Sequence, residues 1–153
     1  MNYPQYQDDI KAIYRSEVTG EVMFALLASL SFAEEKKHKW QTLQRLEAQT
    51  KAQYLRYLES QGLHFSYPVG AWMLGAVVGL AFCLLPWQTA MKGLASGTPP
   101  LIEVFERLHS HASEADKVYF ASVVAHEMAI ARFAELELQQ RDDSLKPVLE
   151  LLA

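Results

Sequence analysis

Cysteine is all but absent from this chain. Cys83 stands alone, which excludes an intrachain disulfide framework and a thiolate zinc cluster. An excess of positive charge is missing too. Fourteen Lys and Arg against 18 Asp and Glu leave a net charge of −4, so no global basic surface exists for wrapping nucleic acid, and no nucleic-acid partner is expected. Gly-rich phosphate loops, Walker sequences and dinucleotide fingerprints are lacking, as are internal repeats and low-complexity tracts. Met1–Gln5 has neither a basic n-region nor a following apolar stretch. With a single thiol, that points to the cytoplasm.

What is present suits one globular domain spanning 1–153. The chain is 50% apolar and 21% charged, a balance that excludes intrinsic disorder and collagen-like repeats. Six prolines and seven glycines cluster rather than scatter, and they cut the chain into helices. A helical pattern runs from about Asp8 to Leu30. Ser31 to Glu34 matches a capping box, in which the Ser hydroxyl and the Glu carboxylate satisfy free amides at a helix start. The second helix extends to Gln61, with Gly62 placed as the left-handed residue that follows. An uncharged segment, Phe65 to Met91, supplies the third helix over Val69–Met91, kinked or loosened by Pro86. Thr98 and Pro99 start a short helix over Leu101–His111. Ser113 and Asp116 start the last long one, to about Gln140, and a tail helix covers Leu145–Leu152. No strand pattern stands out, so the fold class is all-α.

Helical periodicity then sorts the faces. Ile10, Ile13, Tyr14, Phe24, Ala25 and Ala28 share a stripe on the first helix, and Glu17 and Glu21 fall in its middle. Trp40, Leu43, Leu46, Tyr54, Tyr57 and Leu58 define the apolar face of the second, with Glu47 at its centre and Thr50 one turn on. Phe120, Val123, Ile130, Ala134 and Leu138 share a face of the last long helix, with Glu127 in the middle. Four of the 18 acids therefore point at the core. Burying a carboxylate costs several kcal/mol unless a metal, a shared proton, a basic partner or a wet pocket compensates. The plain alternative is local pairing, for example Glu47 with Lys51 one turn later.

Long helices carrying an inward Glu on the first, second and last resemble the ferritin-like superfamily, which includes rubrerythrin and other di-iron carboxylate proteins. Glu17 followed by Phe24 resembles the first-helix Glu and its downstream aromatic. Glu47 to Thr50 stands where Glu-x-x-His is expected, and Ala125 to Ile130 resembles the last-helix motif, with His126 immediately before the Glu. The resemblance implies a ferritin-like up-down four-helix bundle with one additional short helix and a short C-terminal helix. It further implies a metal site of Glu17, Glu21, Glu47 and Glu127, with His126 in a supporting, hydrogen-bonding role on the flank of its helix. Iron, manganese or zinc is the implied metal, and oxygen- or peroxide-linked redox chemistry the implied activity. The sequence also departs from the family. Thr50 and Ile130 occupy both histidine positions, and the third helix contains no acid, so a standard di-iron shell of carboxylate and imidazole is degenerate here.

Two true Glu-x-x-His strings read differently. Glu35 to His38 lies in a charged run, a solvated face. Glu106 to His109 lies on the short helix, where Glu106 points away from the stripe of Leu101, Phe105 and Leu108. Cys83, in the middle of an apolar helix, reads as a small core residue. The uncharged helix is long enough to be a nominal membrane span, and Gly75 and Gly79 give it a small-xxx-small face. The favoured reading is a bundle helix whose outer side needs a second subunit, a homodimer through Val69–Met91. Three functions remain open: a metal-handling, redox-linked bundle; a metal-free dimerising structural or regulatory module; and a membrane-associated member of the same fold.

Overall fold

The computed structural model describes residues 3–153. Among the described residues the chain forms seven α-helices and no strand: α1 (Tyr6–Leu30), α2 (Glu34–Ser60), α3 (Val69–Cys83), α4 (Trp87–Gly97), α5 (Pro99–Ser110), α6 (Glu114–Leu138) and α7 (Lys146–Leu152). The all-α expectation holds. The chain divides into two compact units. One comprises Trp87–Leu151 with the segment that ends at Ile13, and the other comprises Tyr14–Pro86 with the last two residues.

In the unit of Tyr14–Pro86, α1 and α2 pack face to face. Tyr14 lies against Tyr54 with ring centroids 5.6 Å apart, and Phe24 stacks on Trp40 at 5.7 Å. Rising numbers on α1 thus meet falling numbers on α2, so the pair is antiparallel. The turn between them is not the expected capping box. The Ser31 hydroxyl donates to the Leu27 carbonyl at 2.6 Å, closing the end of α1, and α2 begins after Ala33 without a side-chain cap. A serine between two helices can serve either end, and here the orphan carbonyl takes it. The far end of α2 follows its sequence signal. Gly62 adopts φ 65°, the Gly62 amide donates to Glu59 and the Leu63 amide donates to Leu58, the two bonds of a Schellman stop.

The uncharged segment is not one helix over Val69–Met91. It breaks into α3 and α4 around Pro86, which has no amide to donate and whose ring excludes the carbonyl one turn back. The C-terminal end of α3 is closed by tight bonds, from the Leu84 amide to Ala81 and from the Leu85 amide to Phe82, both 3.1 Å. At 15 residues, α3 is roughly 22 Å long, short of the ~30 Å hydrocarbon layer. No helix of the described residues is long and apolar enough to cross a membrane. Cys83 is consequently the last residue of α3 and exposed, not a mid-helix core residue; its burial is only enough to raise the thiol pKa through desolvation.

α3 lies on α1 in the same direction. A Cβ on Gly75 would stand 2.5 Å from the Thr19 carbonyl oxygen, and one on Gly79 would stand 3.1 Å from that of Met23. The Thr19 hydroxyl donates to the Ala71 carbonyl at 3.1 Å. Only residues without bulk at these positions let the two backbones come so close.

In the unit of Trp87–Leu151, α6 packs against α4 and α5, which also touch each other. Ser113 caps α6 as expected, accepting the Asp116 amide at 3.3 Å. Pro99 stands in the first turn of α5, where its missing amide leaves no bond unmade. Two buried acids tie the unit together. Glu137 accepts the Trp87 indole N–H at 2.8 Å and the Ser144 hydroxyl. Asp9 accepts both Arg107 Nε at 2.7 Å and a terminal nitrogen of the same guanidinium at 2.8 Å, and the Tyr3 hydroxyl at 2.9 Å. That guanidinium lowers the Asp9 pKa, while burial, followed by the Asp9 carboxylate, pushes the Tyr3 phenol up.

Candidate metal centre

Glu17 and Glu47 come from the facing stripes of α1 and α2, at the level between the Tyr14–Tyr54 and Phe24–Trp40 contacts. Both are buried, Glu17 completely and Glu47 to 5% exposure. Each offers a carboxylate oxygen within 4.8 Å of the other's. Two oxygen ligands on opposite sides of a divalent ion with ~2.1 Å bonds stand about 4 Å apart, so a small closure would let one ion bridge them. The room for Glu47 is provided by Gly20, one helical turn past Glu17. A Cβ on Gly20 would run into the Glu47 carboxylate, so the glycine forms a cradle for that group.

The other expected residues separate into distinct situations. Glu21, expected in the middle of its stripe, is half-buried, and its carboxylate takes the Lys51 ammonium. Angle does not set it apart, since Glu21 lies only about 40° round the helix from Glu17, and Tyr14 and Val18, further round on the same side, are buried. The difference is the Lys51 ammonium, which holds the Glu21 carboxylate at the rim of the α1–α2 contact. Lys51, the partner expected for Glu47, therefore bridges α2 to α1. Thr50 is buried where an imidazole was expected, and its neighbour in the pattern, Ile130, is buried on α6. Glu127 is buried on α6 in the other unit, as its periodicity predicts. His126 is buried as well, to 1% exposure, and does not sit on a half-open flank. The apolar face of α6 is wider than one stripe: Ala129, Phe133 and Leu136 are buried beside Ile130 and Ala134, so the position before Glu127 is also covered.

Two buried acids were not singled out from sequence. Glu137 follows Ile130 and Ala134 at the spacing of a single helix face, a signal that was present. Asp9 stands four residues before the fully buried Ile13, but in the first turn of α1 an acid has a ready reading as a helix-dipole partner. The two Glu-x-x-His strings behave as expected: Glu35 is solvent-exposed and pairs with Lys39 at 2.6 Å, and Glu106 is exposed.

The donor set of Glu17 and Glu47 is oxygen-only and anionic, which suits a hard or borderline divalent cation such as manganese, ferrous iron or zinc. A scan against protein-family models finds no match for this chain, and neither a search of curated proteins nor one of solved structures finds any.

Proposed function

We propose that this chain is a ferritin-like helical protein that binds a divalent metal through Glu17 and Glu47, in an altered version of the di-iron carboxylate site. The observation that carries the reading is the pair of buried carboxylates brought together by α1 and α2, with Gly20 leaving space for one of them. Holding two carboxylates at this distance is electrostatically costly, and a bound cation converts that cost into affinity. The resemblance assigns one further donor, Glu127, and a supporting hydrogen-bonding role for His126, to α6, where both residues are buried. With iron or manganese bound, the chemistry implied is oxygen- or peroxide-linked redox, of use in an oxidative-stress response.

The test is metal analysis of protein purified without chelator, followed by titration of metal-free protein with Mn²⁺, Fe²⁺ and Zn²⁺. Wild-type protein should take up metal. At a hundredfold excess over the dissociation constant it should gain about 2.7 kcal/mol of stability. Glu17→Gln and Glu47→Gln should lose most of that gain. His126→Ala and Glu127→Gln, read in the same titration, measure what α6 contributes. Protein that stays empty after aerobic and anaerobic loading would overturn the reading.

One observation favours a second reading, a metal-free structural or regulatory module. Thr50 and Ile130 occupy the two sequence positions where the resemblance expects histidines, and both are buried. In that case Glu47→Leu should raise the melting temperature, because an apolar residue of similar size avoids the desolvation of a buried acid. Under the metal reading, the same variant loses metal-induced stabilisation.

A further inference from the structure

α3 is apolar on every side and covered on one. Its small residues Ala71, Gly75 and Gly79 are buried, the two glycines against α1. Met73, Val77 and Leu80 stand opposite the glycines, Trp72 and Leu74 flank them, and Leu84 continues the surface past the helix end, at exposures from 47% to 86%. At about 200 Å² for a fully exposed large side chain, these six leave roughly 700 Å² of apolar surface open. The largest patch on a typical monomer is ~300–600 Å², whereas each partner in a standard protein interface buries ~800 Å². The patch has the size of one half of an interface.

We infer that the outer face of α3, with Leu84, is a docking surface for a second copy of this chain in an isologous dimer. Charge selects this occupant. About a two-fold axis a patch meets itself, so any charge near the axis would face its own twin. No charged residue occurs between Phe65 and Met91, and the face meets its copy without a like-charge penalty. A lipid surface fits less well. Helices that lie in the headgroup region carry Lys and Arg around their apolar face, and α3 has none. The net charge of −4 also opposes an anionic leaflet. The contact narrows the interface expected over Val69–Met91 to 69–85, because Ala90 and Met91 are buried in α4. It is independent of metal binding.

Sedimentation velocity at micromolar concentration should give twice the 17.3 kDa chain mass. The double variant Val77→Lys, Leu80→Lys alters only exposed positions, so its circular dichroism should match wild type while its dimer dissociation constant rises roughly a hundredfold or more. Leu149→Lys, at an exposed apolar position on α7, should leave the dimer unchanged. The inference is overturned by a wild-type monomer, including one that co-sediments with phosphatidylcholine or mixed phosphatidylserine vesicles. It is equally overturned by a double variant that stays dimeric, or by Leu149→Lys dissociating the dimer as strongly.

Discussion

At the scale of single residues, the candidate centre depends on an absent side chain as much as on present ones. Gly20 sits inside a 25-residue helix, where glycine costs roughly 1 kcal/mol relative to alanine. Gly20→Ala should therefore separate folding from binding. The atoms nearest the new methyl are the carboxylate end of Glu47, a side chain that can shift, so the helix-propensity gain should offset the crowding and leave stability within about 1 kcal/mol of wild type. Metal affinity should fall at least tenfold, since ~1.4 kcal/mol of displaced ligand geometry already has that effect. Calorimetric titration beside a thermal melt checks both halves; unchanged affinity would mean that Glu47 is not a ligand. The Glu47 position was legible in the sequence because periodicity fixes which face a residue shares. The glycine that makes room for it was not, because its significance lies in a residue on another helix.

At the scale of elements, the packing of α3 on α1 gives a matched pair of glycine tests. Gly75→Ala gains helix propensity but drives its Cβ to 2.5 Å from the Thr19 carbonyl oxygen, and backbone cannot swing aside as a side chain can. A net loss of roughly 1–3 kcal/mol is expected. Gly70→Ala, in the first turn of the same helix with nothing within 4 Å, should be neutral or stabilising by up to ~1 kcal/mol. Chemical denaturation of both variants decides; equal effects would show that the helices do not approach as closely as described. Helix boundaries at Gly62, Pro99 and Ser113 were readable because each acts on its own backbone within a few residues. The start of α2 and the break at Pro86 were less so. Ser31 had two helix ends to choose from, and Pro86 was compatible with either a kink or a full stop until tertiary packing selected one.

At the scale of the whole molecule, acid should unfold this chain partly through Asp9. The Arg107 guanidinium, bonded to its carboxylate, lowers the Asp9 pKa from the ordinary value of 3.8, so the folded chain binds this proton less readily than the unfolded one. The stability that results is complete above the ordinary value and disappears as pH falls below it through the lowered one. Glu35, lowered by its bond from Lys39, and Asp143, lowered by its bond from Arg141, are solvent-exposed and add little. Asp9→Asn should lower the melting temperature by a few degrees at neutral pH and flatten its decline between about pH 5 and pH 2. Thermal melts across that range check it; parallel curves for variant and wild type would remove Asp9 from the account.

The sequence by itself determined the helical class, most helix ends and the inward placement of Glu17, Glu47 and Glu127, because these follow from local propensity and a fixed angular period. Tertiary structure alone decided which inward acids are matched and by what. Lys51 reaches Glu21 across two helices, Glu137 collects an indole and a hydroxyl from distant turns, and Arg107 clasps Asp9. It also decided that the uncharged segment, continuous as a string, is two helices, one showing its small residues to α1 and its large ones outward. Periodicity states which residues share a face; it holds no information on what that face meets.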